Sequence, residues 1–217
     1  MKYIIFAFSC LILFVAFIFA NTFYKDKQTE KSVSIAKDNS SVFVREHSQI
    51  KGSADAKVQI VEFMDPACET CAAFSQFVEQ MMASNPGKIK LVLRYAPFHD
   101  GADYFVKILE ASKKQGKYWE TLKVMYKSQP SWASHSNPQP EKIWEFLPYA
   151  GLNLEQLKKD MNDPAIAKII EQDLADAKTL NVQKTPGFFA NGKPLQQFGY
   201  EQLQYLVSTE IAANYPK

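Results

Sequence analysis

The sequence predicts an α/β fold in which a helix connects two parallel, buried strands. Residues 58–64 form a short and mostly apolar run with several β-branched side chains, and residues 88–95 end in a second run of the same kind. Between the two runs, apolar side chains recur at helical spacing over residues 68–83. A connection of this length favours a parallel pair of strands with the helix packed on one face of the sheet.

The next part of the chain, about residues 98–182, predicts a group of helices without a convincing strand. Helical segments are expected at about residues 102–114, 118–127, 141–149, 154–161 and 164–180. Asn153 followed by Gln156 resembles a capping box, and Asp163 precedes a proline at the first helical position. We therefore expect a helical subdomain inserted after the second strand.

The C-terminal part predicts a hairpin and a closing helix. Asn191-Gly192 is a strong signal for a two-residue turn, and it separates residues 187–190 from residues 193–198. A helical pattern follows over about residues 200–213. The hairpin is expected to extend the sheet that the first strands begin.

At the N-terminus, an almost unbroken apolar run over residues 3–20 predicts a membrane-targeting segment. Its length lies between that of a signal-peptide core and that of a full bilayer span, and its bulky end at Phe19 favours an uncleaved anchor. The positive charge of Lys2 favours export of the chain that follows. The predicted location is therefore periplasmic or otherwise extracytoplasmic, with a tether to the cytoplasmic membrane.

These patterns divide the chain into three parts. Residues 1–20 are expected to form a signal peptide or N-terminal membrane anchor, and residues 21–50 a polar tether that ends in a first short strand near residues 41–44. Residues 51–217 are expected to form the folded domain. The formal net charge of +2 is too small for the basic surface of a nucleic-acid-binding protein, so no nucleic-acid partner is predicted.

Cysteine usage points to redox chemistry. Cys10 lies inside the apolar run and is interpreted as a small apolar residue, which leaves Cys68 and Cys71 as the cysteines of the exported part. Their Cys-x-x-Cys spacing falls at the predicted N-terminus of a helix, where unpaired N–H groups and the helix dipole favour a thiolate. Cys68 is therefore the expected nucleophile, and Cys71 is placed to resolve a mixed disulfide.

Two structural alternatives compete with that interpretation. A purely stabilising disulfide is disfavoured, because so short a loop gives little entropic benefit. A zinc site is also disfavoured, because closed structural zinc sites use four ligands and His47, His99 and His135 do not stand at ligand spacing. No metal is predicted.

A second motif, Thr185-Pro186-Gly187, precedes the final hairpin. The order of strand, Cys-x-x-Cys helix, strand, helical insertion, Thr-Pro, hairpin and helix resembles the DsbA-like thiol-disulfide oxidoreductases of the thioredoxin superfamily. The resemblance covers about residues 51–216 and implies a thioredoxin fold with an inserted α-helical domain. It also implies an enzyme that needs no cofactor, acts on cysteine-containing exported proteins and exchanges electrons with a membrane redox partner.

The resemblance assigns further roles by position. Pro186 would be a cis-proline facing the disulfide, and Thr185 would offer backbone hydrogen bonds to a substrate peptide. Glu62 would be a buried acid that assists proton transfer at Cys71; its alternative interpretation is an edge or solvent-facing strand residue. His99 is interpreted as a polar loop residue rather than a catalytic one.

The dipeptide between the cysteines departs from the family pattern. Strongly oxidising members have a histidine there, whereas this chain has Glu69 and Thr70, and a carboxylate beside Cys68 opposes the thiolate. The resemblance implies a dithiol oxidase, whereas this dipeptide leaves isomerase and reductase roles open. It is also compatible with a copper-chaperone-like module, in which the two thiolates hold Cu(I), and with a chaperone whose disulfide is idle.

Overall fold

The structure is a computed structural model that describes residues 2–134 and 138–216, and the side chains of residues 13–134 and 138–216. The helices are α1 (Lys2–Asp38), α2 (Glu69–Ser84), α3 (Ala102–Lys113), α4 (Tyr118–Trp132), α5 (Ile143–Phe146), α6 (Leu154–Asp160), α7 (Pro164–Thr179) and α8 (Tyr200–Asn214). The strands are β1 (Gln49–Gly52), β2 (Val58–Met64), β3 (Ile89–Tyr95), β4 (Gly187–Ala190) and β5 (Lys193–Pro194).

The strands form one mixed sheet in the order β1-β3-β2-β4-β5. β2 runs parallel to β3 and antiparallel to β4, and β1 pairs antiparallel with β3. The predicted parallel pair connected by a helix is therefore confirmed. β2 is central and almost wholly buried, which explains why its sequence is mostly apolar rather than strictly alternating.

The helices α3 to α7 lie between β3 and β4 in the sequence, as the resemblance implied. Their apolar faces share one core with the inward face of α2 and one face of the sheet. The two predicted caps are present: the side chain of Asn153 accepts from the N–H of Gln156 at 3.1 Å, and that of Asp163 accepts from the N–H of Ala165 at 2.9 Å. Each cap satisfies a backbone donor that the first helical turn leaves unpaired.

The predicted strand at residues 41–44 is wrong. Ser40–Val42 form a 3-10 turn, and the first strand is β1, further along the chain. The apolar side chains of this segment are buried without strand pairing: Phe43 packs on Phe189 with ring centroids 5.0 Å apart. Burial of an irregular segment gives the same apolar pattern as a strand, so the pattern could not separate the two.

Two other predicted elements differ in extent. The helix expected at residues 141–149 is divided into α5 and flanking 3-10 turns, Pro140–Lys142 and Leu147–Ala150, because Pro148 lacks the N–H that a continuing helix needs. The second hairpin strand ends at Pro194 for the same reason. The turn itself is confirmed, since Asn191 and Gly192 have positive φ values of 47° and 79°.

α1 extends beyond the apolar run and through the segment that was expected to be an irregular tether. It reaches the domain at its C-terminal end, where Ala36 is buried against the sheet. The predicted membrane segment and Cys10 lie largely among residues 2–12, whose side chains fall outside the described part. Where side chains are described, no helix is long and apolar enough to cross a membrane.

Candidate active site

The two cysteines lie at the start of α2, directly after the carboxyl end of β2. Cys68 occupies the N-cap position with an extended backbone, and its N–H donates to the carbonyl of Asp65 at 3.1 Å. Cys71 is in the first helical turn. Both are free thiols; Cys71 is fully buried, whereas Cys68 keeps a small accessible area. Cys68 is therefore the sulfur that another molecule can reach.

The surroundings of Cys68 favour its thiolate. Its pKa is lowered to about 5, chiefly because the Cys71 thiol donates a hydrogen bond to it. Burial acts in the opposite direction, and contacts with Thr185 and with the backbone N–H groups of Cys71 and Thr70 lower the pKa further. These N–H groups belong to the first turn of α2, so the helix N-terminus contributes as its position predicts.

Cys71 has the opposite character. Burial raises its pKa well above the ordinary value, and the hydrogen bond to Cys68 and the charge of Glu62 act in the same direction. Its sulfur accepts from the N–H of Asp65 at 3.5 Å. The pair thus consists of an accessible thiolate and a buried thiol that holds its proton.

Glu62 lies on β2 with only 1% of its surface exposed, so its interpretation as an edge or solvent-facing residue is wrong. Burial, followed by the charge of Cys68, raises its pKa to about 8, and its Oε1 has no hydrogen-bond partner among the described residues. The carboxyl lines a cavity of about 310 Å³ that also contacts Glu79 and Lys123. Since these two belong to α2 and α4, the cavity leads from Glu62 to the gap between the two helices.

Thr185 and Pro186 lie beside Cys68. The peptide bond between them is cis, and the Sγ of Cys68 lies 3.4 Å from the Thr185 carbonyl oxygen. Gly187 then begins β4, whose pairing with β2 fixes this loop relative to the cysteines. The structure therefore brings together four of the predicted site residues with Glu62 beneath them.

Sequence reasoning missed Asp65, and the structure places it in contact with His99, which was interpreted as a polar loop residue. The carboxylate of Asp65 is fully buried and accepts from Ala67 N–H at 2.8 Å through Oδ1. Its Oδ2 accepts from the backbone N–H of His99 at 2.9 Å and lies 2.8 Å from His99 Nδ1. Asp65 follows β2 and His99 follows β3; because the carboxyl ends of parallel strands meet at one edge of a sheet, their proximity could have been predicted.

The remaining histidines do not complete a metal site here. His47 lies in another part of the fold, with Nε2 2.6 Å from Asp173, and His135 falls outside the described residues. Within residues 13–134 and 138–216, no three side chains of His, Cys, Asp or Glu are arranged to hold a metal ion.

Comparison with known sequences gives the family. A protein-family model described as Thioredoxin matches residues 45–209. The Na+/H+ antiporter NhaA of Herminiimonas arsenicoxydans is 27% identical over 151 residues, a match that covers 70% of this chain and 23% of the antiporter. The chain thus spans about a quarter of the length of the curated relatives it matches.

Solved structures agree with this family. A thioredoxin-like oxidoreductase from Silicibacter pomeroyi DSS-3 superposes with a TM-score of 0.67 at 26% identity, covering 79% of this chain and 96% of that one. The thiol-disulfide exchange protein alpha-DsbA2 of Wolbachia pipientis has a TM-score of 0.68 at 19% identity, covering 84% and 97%, and shows the shared fold. The chain therefore belongs to the thioredoxin family, and it shares its fold with DsbA-like thiol-disulfide exchange proteins.

Proposed function

We propose that this protein acts as a dithiol oxidase, which donates the disulfide between Cys68 and Cys71 to cysteine-containing exported proteins. The observation that carries the proposal is the hydrogen bond from the Cys71 thiol that, with the helix N-terminus, lowers the pKa of Cys68 to about 5. A stabilised thiolate stabilises the reduced pair. The oxidised pair is then the stronger oxidant, and Cys68 is a good leaving group.

Oxidation of a substrate would proceed by two exchanges. A substrate thiolate attacks the Sγ of Cys68, the bond between the two enzyme sulfurs breaks, and Cys71 leaves and takes up a proton. The second substrate thiolate then attacks the substrate sulfur of the mixed disulfide and releases Cys68 as a thiolate. Two electrons pass from substrate to enzyme in each cycle, so a membrane redox partner is needed to oxidise the pair again.

Glu62 is suited to supply the proton in the first exchange. With its pKa raised to about 8, it is largely protonated at neutral pH, and its charge is close enough to influence Cys71. A proton given to the departing Cys71 sulfur removes a negative charge from a buried site, where charge is costly. The cavity that Glu62 lines offers a route by which the carboxyl regains its proton from solvent.

Thr185 and Pro186 are suited to hold the substrate. The loop lies directly beside Cys68 and precedes a strand, so its backbone can pair with an extended peptide in the manner of an added strand. Main-chain pairing places no demand on the peptide sequence, which suits an enzyme that oxidises many different proteins.

The proposal places the domain outside the cytoplasm. Two sequence features support it: the apolar run over residues 3–20 predicts export, and disulfides formed by the enzyme persist in an oxidising compartment. Detection of the protein in an extracytoplasmic fraction is the expected result, either released after cleavage of the N-terminal segment or retained at the membrane by it.

The test is the reduction potential of the Cys68–Cys71 pair, measured by equilibrating the protein with glutathione redox buffers. An oxidase requires a potential near that of DsbA, about −120 mV. The Cys68→Ser variant is the matched control, because it keeps Cys71 but cannot form the disulfide.

Reductase or isomerase activity is the second candidate, and the observation that favours it is Glu69 in the first turn of α2, next to Cys68. A reduction potential near that of thioredoxin, about −270 mV, would favour reductase or isomerase activity over the oxidase. A protein that exchanged no disulfide with glutathione, yet bound Cu(I) through both sulfurs, would instead be a metal-binding module.

A further inference from the structure

The side chain of Asp65 connects the loop between β3 and α3 to the loop between β2 and α2, called here the cysteine loop. Asp65 accepts from Ala67 through one carboxylate oxygen and from the backbone of His99 through the other, and that same oxygen contacts the His99 ring at 2.8 Å. Ala67 is the residue directly before Cys68. The imidazole is thus held by a fully buried carboxylate that also shapes the backbone leading to the nucleophile.

The ring of His99 is half-buried and faces a cleft beside the cysteine loop. The cleft has a volume of about 540 Å³, and its lining includes Ala67, Trp132 and Glu141. Among the described residues, charged and titratable groups around the ring are Asp65, Asp100 and Cys68, with Glu141 on another wall of the cleft. These described neighbours of His99 are acidic.

These surroundings couple His99 to Cys68. Burial acts to lower the pKa of His99, but the hydrogen bond and charge of Asp65, together with the charges of Cys68 and Asp100, outweigh burial and raise it. Coupling between two titrating groups is reciprocal: if the thiolate favours the imidazolium, the imidazolium favours the thiolate by the same free energy. A protonated His99 also balances the negative charge of Asp65, which would otherwise oppose the thiolate.

We propose that His99, oriented by Asp65, is the positioning residue that supplies a positive charge to the Cys68 thiolate. It would do from a neighbouring loop what a histidine between the cysteines does in strongly oxidising relatives, and so offset the carboxylate of Glu69. The inference rests on the proposed role of Cys68 as the nucleophile. It revises the interpretation of His99 as an ordinary loop residue.

The first test compares the oxidised and reduced forms of the wild-type protein by NMR titration of the histidine ring protons. The expected result is a higher pKa for His99 in the reduced protein, because only that form carries the thiolate. Equal His99 titrations in the two forms would overturn the inference.

The second test measures alkylation of Cys68 by iodoacetamide in the reduced protein. His99→Gln should slow the reaction by about threefold at pH 5 and leave it unchanged at pH 8, where the thiol is ionised in either case. His99→Lys keeps a positive charge and should restore most of the rate at pH 5. Lys107→Gln removes a cation from an exposed pair with Asp103 on α3 and should change nothing.

The outcomes separate this inference from the proposed function. A slowing by His99→Gln that is equal at both pH values would indicate a structural role, and the electrostatic inference would fail while disulfide exchange stood. If the wild-type protein formed no Cys68–Cys71 disulfide, the proposed function would fail first. A threefold effect that also diminishes in high salt is the result expected for a partly exposed charge pair.

Discussion

The Thr185 carbonyl oxygen lies 3.4 Å from the Sγ of Cys68, although the two residues are 117 positions apart in the sequence. The helices α3 to α7 occupy most of that interval. What brings the two residues together is the antiparallel pairing of β4 with β2, in which Gly187 is the register partner of Phe63. The position of the Thr185-Pro186 loop beside Cys68 therefore depends on how β4 packs against its neighbours.

Substitution of Gly187 by alanine tests how closely β4 packs against Val182. A Cβ at this position would lie 2.6 Å from Cγ1 of Val182, so one of the two must move. Gly187→Ala should lower the free energy of unfolding by about 1–3 kcal/mol, the usual cost of overpacking, as measured by urea denaturation. Val182→Ala removes the atoms in conflict, and the double variant should recover much of the loss. If the two substitutions had strictly additive effects on the free energy of unfolding, the contact between positions 182 and 187 would not limit the packing of β4.

Cys68 should react with iodoacetamide at acidic pH. With a pKa lowered to about 5, its alkylation rate is expected to be half-maximal near that pH and flat at neutral pH, whereas Cys71 should stay unmodified in the folded protein. Because the Cys71 thiol is the largest cause of the lowered pKa, Cys71→Ala should shift the profile to higher pH. Mass spectrometry identifies the modified sulfur. An unshifted profile in Cys71→Ala would contradict the assigned cause.

The parts of this site that sequence predicts well are local. Cys68 and Cys71 are three residues apart, and the helical pattern after them is enough to place them at a helix N-terminus. The turn at Asn191 and Gly192 is similarly local, because it depends on two residues that tolerate positive φ. Such features require no knowledge of what packs against them.

The parts that sequence predicts poorly depend on distant partners. Whether Glu62 is buried depends on which strands flank β2, and its contact with solvent depends on how α2 and α4 are spaced. The pairing of Asp65 with His99 requires the parallel register of β2 with β3. Phe43 is buried by packing on a ring 146 positions away in the sequence, which no local pattern encodes.

Glu62 should make stability depend on pH. Its folded-state pKa, about 8, lies above the value of about 4.3 for an unfolded glutamate, so the native state keeps a proton that the unfolded chain releases. Stability therefore falls as pH rises from about 4.3 towards 8, by about 4 kcal/mol at pH 7 for this group alone. Glu62→Gln does not titrate and should be more stable than wild type at pH 8, with the difference vanishing near pH 4.

The control for this variant is Glu79→Gln, an exposed position on the same cavity. Glu62→Gln should also slow the reaction of the oxidised protein with a model dithiol, by about 10- to 100-fold, since the leaving Cys71 sulfur loses its proton donor. Stopped-flow measurement of the first exchange gives this rate. A variant that was stabilised at pH 8 yet reacted at the wild-type rate would remove Glu62 from the mechanism.

Arg94 should carry more stability than any exposed ion pair. Its guanidinium is fully buried, donates to Asp173 and Asp176 at 2.6 Å, and also donates to the Val42 carbonyl. Arg94→Met leaves buried carboxylates without this partner and should cost about 3–5 kcal/mol in urea denaturation. Lys51→Met, which breaks an exposed pair with Glu79, should cost less than about 1 kcal/mol.

The same variant tests whether stability and chemistry are separable in this fold. The side chains of Leu93 and Tyr95 belong to the core that contains Cys68, and strand alternation places Arg94 on the opposite face of the sheet. Arg94→Met should therefore leave the alkylation profile of Cys68 unchanged wherever the variant is folded. Asp173, on α7, also accepts from the backbone N–H of Tyr95 at 2.7 Å. If the alkylation profile were shifted in the folded variant, α7 would influence the active site through this contact.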